Sequence, residues 1–140
     1  MVLIENRKAY HDYEILEKFE AGLELKGFEV KALKSGRGSL IGSRIIIRGG
    51  EAYAVGLDIP PYQPKNAPQN YDSQRTRRLL LNKKEIQYLG GKSQQQGLTL
   101  IPLGIYNRRG FLKISFGLCR GLKKYDKREK IKEREEKIKI

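Results

Sequence analysis

The chain has very little histidine, cysteine or tryptophan: one His11, one Cys119 and no tryptophan in 140 residues. A lone cysteine excludes an intramolecular disulfide and a cysteine-based zinc site, and it fits a reducing compartment. A lone histidine with no cysteine or carboxylate cluster makes no metal site, and His11 reads as a strand-face side chain. No apolar run approaches the ~20 residues of a membrane span. Met1-Val2-Leu3-Ile4-Glu5-Asn6-Arg7 meets charge too early for a signal peptide, so a cytoplasmic protein is expected. Acidic residues are also scarce, 16 against 29 Lys/Arg. A metal-dependent nuclease needs clustered carboxylates. Here they are scattered, and neither a catalytic activity nor a cofactor is expected.

What the chain does have is positive charge, formally +13. From Arg120 to Ile140 ten Lys/Arg stand against five Asp/Glu, and neither Gly nor Pro follows Gly121. Such a stretch buries too little apolar surface to offset its ordering entropy, so a tail over 121–140 is expected to be disordered alone. Asp126/Lys130, Lys132/Glu136, Glu133/Lys137 and Glu135/Lys139 are opposite charges four apart, which favours a helix once the tail is bound. Tyr125, between Lys124 and Asp126, is suited to stacking on an unpaired base. The remaining body is also basic, 19 against 11 over residues 1–119. A polyanionic partner follows, RNA before an anionic membrane, because the tail lacks the broad apolar face of an interfacial helix.

Residues 1–120 read as one mainly β domain. His11 to Phe19 alternates as a half-buried strand, with Glu17 interrupting the apolar face and predicting a bend or bulge. Gly22 and Gly27 bracket a short apolar piece, Leu23 and Leu25. Phe28 to Lys34 predicts a short helix stopped by Ser35-Gly36-Arg37-Gly38. Leu40 to Arg48 and a return strand with Tyr53, Val55, Leu57 and Ile59 on one face flank the hairpin signal Gly49-Gly50. Pro60, Pro61, Pro64 and Pro68 predict a rigid extended loop. Asp72 predicts the cap of a short helix carrying Arg75, Arg77 and Arg78 and running into Leu79-Leu80-Leu81. Asn82 and Glu85 predict a capping box opening a second helix, which Gly90-Gly91 ends or loosens. Leu98–Tyr106, a turn at Asn107-Arg108-Arg109-Gly110, and Leu112, Ile114, Phe116 and Leu118 predict a second hairpin. Two hairpins, short helices and glycines within strands suit a small closed antiparallel barrel of the oligonucleotide-binding (OB) type.

Gly90-Gly91-Lys92-Ser93 looks like the end of a phosphate-binding loop, but Ile86 stands where the first glycine is needed. Arg75, Arg77, Arg78, Lys83 and Lys84 form a dense basic cluster expected to touch phosphates, contacts that position RNA without reading its sequence. A general single-strand binder or translation factor with the same barrel stays open on these grounds.

Four motifs together resemble the family of bacterial SsrA-binding proteins (small protein B): Phe19-Glu20-Ala21-Gly22, Gly27-Phe28-Glu29-Val30-Lys31, Arg75-Thr76-Arg77-Arg78-Leu79-Leu80-Leu81-Asn82, and Asp126-Lys127-Arg128. The likeness runs from about Asn6 to about Glu135. It implies an OB barrel that binds transfer-messenger RNA (tmRNA, SsrA RNA) and brings it, charged with alanine, to ribosomes stalled on messages without a stop codon. It implies RNA-binding roles for Glu20, Leu80 and Asn82. The tail residues Lys123, Lys124, Tyr125, Asp126, Lys127 and Arg128 would contact 16S ribosomal RNA of the stalled ribosome, helical in the empty message channel. Elongation factor Tu on the alanyl-tmRNA is a further implied partner, and the free protein is expected to be a monomer. Tyr125 falls where many members have histidine, and Leu122 where a lysine is common.

Overall fold

In the computed structural model the described residues are 1–61 and 68–122. Along them run β1 (Val2–Glu5), α1 (Arg7–Asp12), β2 (Tyr13–Leu23), α2 (Gly27–Lys34), β3 (Arg44–Arg48), β4 (Glu51–Val55), β5 (Arg77–Leu80), α3 (Lys83–Ser93), β6 (Leu98–Arg108) and β7 (Phe111–Gly121). The strands pair in the order β1-β6-β3-β4-β5-β2-β7, and β6 also pairs with β7. That last pairing closes six strands into an antiparallel ring. β1 shares the far edge of β6 with β3. The mainly β barrel expected from the pattern is therefore the fold, with one strand more than the usual five of an OB barrel. Among the described residues no helix is long and apolar enough to cross a membrane.

Period-2 alternation builds the interior. Leu112, Ile114, Phe116 and Leu118 of β7 point inward with Ala21 and Leu23 of β2, Ile45 of β3 and Leu79 of β5. Leu33 of α2 and Leu89 of α3 join the same core. A second small core lies between α1 and the strands: Ala9, Ile101, Leu103 and Cys119. β6 serves both cores because its register shifts between Pro102 and Gly104. The extra residue moves the inward phase from Leu100 to Ile105. β2 has a similar shift between Ile15 and Glu17, where the interrupted apolar face predicts one. α1 is tied down by Asn6, whose Oδ1 accepts the Ala9 N–H at 3.2 Å while Nδ2 donates to the Pro102 carbonyl at 2.9 Å.

Several expectations are corrected. The strand expected from His11 begins at Tyr13, because the Asn6 cap draws Arg7–Asp12, with His11, into a helix. That strand then runs through Gly22 to Leu23 without a break. Leu40–Ser43 is a turn rather than strand, with Gly42 at φ 78 and the Ser43 N–H donating to the Leu40 carbonyl at 3.0 Å. The return strand does not keep Tyr53, Val55, Leu57 and Ile59 on one face. Ala52 and Ala54 are the buried pair, and Leu57 and Ile59 turn inward only after Gly56. Gly56 has φ 80, and a Cβ there would sit 3.2 Å from the Gly42 carbonyl, so glycine alone permits this reversal. Gly90-Gly91 does not end α3, which continues to Ser93. Gly49 and Gly50 do form the expected hairpin turn, both at positive φ.

The largest correction concerns Asp72 to Leu80. Asp72 closes a turn, Oδ1 accepting the Gln74 N–H at 2.9 Å, but no helix follows. Residues 77–80 form β5, paired with β4 and β2. Alternation along a strand sends Arg77 and Leu79 inward and Arg78 and Leu80 outward. Arg77 is 0% exposed. Its Nε and Nη2 donate to Glu29 Oε2 of α2 at 3.0 and 2.6 Å, and Nη2 also donates to the Ser73 carbonyl at 2.9 Å. Arg75 grips both carboxylate oxygens, Nε donating to Oε2 at 3.0 Å and Nη2 to Oε1, and the Tyr71 hydroxyl donates to Glu29 Oε2 at 2.9 Å. This buried cluster pins β5 and the approach to it onto α2.

Candidate nucleic-acid interface

The outer face of β5, β2, β7 and β6 gathers the polar and apolar groups that could meet RNA. Gly22 pairs with Leu80 on one side and with Lys113 on the other, and Lys113 pairs with Tyr106. Residues two apart on a strand share a face, so Glu20 stands beside Gly22, opposite Ser115. Asn82 follows Leu80 by two and caps α3. The residues implied by family resemblance, Glu20, Leu80 and Asn82, thus fall on one surface, on β2, on β5 and at the N-terminus of α3.

Glu20 is the electrostatic centre of this surface. It accepts the Tyr106 hydroxyl and, at 3.0 Å, Arg108 Nη1. The Tyr106 hydrogen bond, with the nearby charges of Arg108 and Lys113, holds its carboxyl below the usual carboxylate range against a smaller effect of burial. Burial and the bond to Glu20 push the Tyr106 hydroxyl up. Glu20 is therefore anionic at neutral pH inside a basic surround. Each of its oxygens has acceptor capacity beyond these bonds, enough for the amino or imino hydrogens of a base.

Asn82 caps α3. Its Oδ1 accepts the Glu85 N–H at 2.8 Å, and Glu85 Oε1 accepts the Asn82 N–H at 3.3 Å, completing the expected capping box. The oxygen is used by the helix, so the amide NH2 is what remains for a ligand. Asn82→Asp keeps a good cap and removes the donor. It is expected to leave urea stability within about 0.5 kcal/mol while weakening RNA binding. Asn82→Ala loses the cap as well, about 1 kcal/mol.

The basic cluster does not act as one face. Arg77 lies in the interior and has no surface to offer a phosphate. Arg75 is turned onto Glu29. Arg78 is exposed but donates to Glu51 at 2.9 Å and to Glu24 at 3.2 Å. Lys83 and Lys84 are exposed in the first turn of α3, where the helix dipole disfavours cations and favours a phosphate. Reading for charge alone missed Tyr106, Arg108 and Lys113. For Lys113 the signal lay in the β7 alternation, which puts Lys113 and Ser115 opposite in phase to Leu112 and Ile114, whereas Tyr106 and Arg108 stand on β6, whose register shift between Pro102 and Gly104 changes the phase of that strand. Lys123, Lys124, Tyr125, Asp126, Lys127 and Arg128 lie outside the described residues. Among the described residues no three His, Cys, Asp or Glu side chains come together to hold a metal.

A closed antiparallel barrel of basic composition, with a carboxylate, an exposed leucine and an amide on one outer face, defines an OB-type protein. The family model described as SmpB protein matches residues 3–140, and the chain belongs to that family. The SsrA-binding protein of Desulfitobacterium hafniense is 52% identical over 139 residues, covering 99% of this chain and 88% of the relative. That of Thermosipho africanus is 51% identical over 135 residues, covering 96% and 90%. A solved structure described as "tmRNA-SmpB: a journey to the center of the bacterial ribosome" contains a similar chain. It superposes with a TM-score of 0.72 at 51% identity, covering 86% of this chain and 85% of that one.

Proposed function

We infer that this chain is the RNA-binding adaptor of trans-translation: it binds tmRNA (SsrA RNA) and delivers it to stalled ribosomes. The observation that carries this reading is the convergence of Glu20, Leu80 and Asn82 on one outer face of a basic barrel. A carboxylate accepts, an amide donates and a leucine offers an apolar contact. These are the needs of unpaired bases held in a folded RNA. Lys83, Lys84 and Arg78 border the same region and supply phosphate contacts. Residues 1–120 hold the tRNA-like part of tmRNA. Residues 121–140 reach 16S ribosomal RNA through Lys123, Lys124, Tyr125, Asp126, Lys127 and Arg128 and become helical in the empty message channel. The alanyl-tmRNA arrives with elongation factor Tu. The protein acts in the cytoplasm, as a monomer when free, and carries out no catalytic step.

The test is a titration against tmRNA at stated salt, with unrelated tRNA and random oligonucleotides as competitors. Tight binding that these competitors do not displace is expected; equal affinity for random single strands would instead mark a general single-strand binder. Glu20→Ala combined with Asn82→Ala is expected to weaken tmRNA binding about 10- to 100-fold, from two hydrogen-bonding groups lost. The slope of affinity against salt should not fall, because no cation is removed. Unchanged affinity would remove these residues from the interface.

A further inference from the structure

Phe111 leaves its aromatic ring almost bare, at 72% exposure. It does not hang on a loose loop. It opens β7 directly after a tight turn in which Arg109 and Gly110 have φ 52 and 88, and Asn107 Oδ1 accepts the Gly110 N–H at 2.9 Å. Phe111 pairs with Arg108 across the hairpin, so its backbone is fixed. A stiff hairpin thus presents a bare ring to solvent, an arrangement that nothing in the folding of the barrel requires.

Beside that ring runs a groove of about 250 Å³ that reaches Leu80, itself 50% exposed. Leu25 and Val30 supply one apolar wall, Phe111 the other, and Lys113 lines the same space. Its floor is low at Gly22, where a Cβ would press to 3.3 Å from Leu80 Cδ1. Arg109 stands at the hairpin tip. An apolar slot with an aromatic wall and cations nearby suits a flat ring attached to a phosphate chain better than an aliphatic or acidic peptide side chain. The slot is also continuous with the Leu80 surface.

We propose that the groove between Leu80 and Phe111 receives one unpaired nucleobase of the bound RNA, with Phe111 as its stacking platform. This rests on the RNA-binding reading above and extends it to a residue outside Glu20, Leu80 and Asn82. Stacking tolerates any base, so the groove adds affinity and holds the strand splayed without reading its sequence.

The chain has no tryptophan, so Phe111→Trp installs a single indole reporter where the base should sit. Its fluorescence is expected to be quenched as tmRNA is added. Phe111→Ala should weaken tmRNA binding about tenfold with an unchanged salt slope. It should melt like the parent, since the ring is exposed. Unchanged affinity of Phe111→Ala, or an unquenched indole at saturating tmRNA, overturns the groove while leaving the RNA-binding reading intact. Failure of the unmodified protein to bind tmRNA would overturn both.

Discussion

Glu29→Gln is expected to lower the unfolding free energy by about 3–5 kcal/mol, read as a fall in urea midpoint at unchanged m-value. The reason is that Arg77 cannot follow its partner into neutrality. Its guanidinium stays charged at any relevant pH and is 0% exposed, so an amide in place of the carboxylate leaves a buried cation poorly compensated. Small domains are stable by only about 5–15 kcal/mol, so this single oxygen-for-nitrogen change approaches the margin. Arg75→Gln should cost less, since Arg75 keeps part of its head in water. The same cluster gives stability a pH dependence. Burial alone would push the Glu29 carboxyl up, but hydrogen bonds from Arg75, the Lys26 N–H, Arg77 and Tyr71 outweigh it and bring it to about 2, from 4.5. A depressed carboxyl contributes stability in full above the unfolded value and loses it as pH falls toward the folded one. The parent should therefore lose about 3 kcal/mol through this group between pH 4.5 and 2. Glu29→Gln should lack that share of the acid slope. An unfolding free energy within about 0.5 kcal/mol of the parent's would mean that the pair is not buried as described.

Deleting every residue after Gly121 is expected to abolish tagging of nascent peptides on stalled ribosomes while leaving tmRNA affinity within about threefold at moderate salt. β7 ends at Gly121, so the deletion spares every strand of the described residues, and the Glu20, Leu80 and Asn82 surface lies wholly upstream. It does remove the hydrogen bond from the Leu122 N–H to the Asp12 carbonyl, 2.9 Å, at the root of the tail. The residues after Gly121 carry four of the thirteen net charges, nine Lys/Arg against five Asp/Glu, so a small fall in affinity that grows at low salt is consistent with long-range attraction. Persisting tagging would contradict the division into an RNA-holding body and a ribosome-contacting tail. Failure to bind tmRNA at moderate salt would show instead that the tail belongs to the body's interface.

Where the sequence was legible, a local rule sufficed. Asn82 with Glu85 opens α3 because a side-chain oxygen and a side-chain carboxylate can satisfy orphan N–H groups three residues apart wherever the helix sits. Gly49-Gly50 makes a hairpin because two successive positive φ values are cheap only for glycine. The β7 alternation survives because that strand pairs on both sides without a shift of its inner face. Where reading failed, a partner distant in sequence decided. Gly56 reverses the face of β4 because the Gly42 turn lies against it. α1 forms because Asn6 is held by the Pro102 carbonyl, 96 residues away.

The basic run from Arg75 to Lys84 shows both sides most clearly. Composition by itself established that this protein is strongly cationic, formally +13, because summed charge does not depend on conformation. Pattern established a mainly β body, because alternation with glycine-marked turns leaves few other ways to bury apolar side chains. Neither could establish which cations face the solvent. A helix would have shown Arg75, Arg77 and Arg78 around one turned surface, whereas a strand splits neighbours between two faces. Pairing of β5 with β4 and β2 chose the strand, and Glu29 on α2, 48 residues before Arg77, made the inward arginine tolerable. Long-range pairing and burial are properties of the closed barrel, and only the assembled ring could decide that Arg77 holds the fold while Glu20, Leu80 and Asn82 are left on the outside.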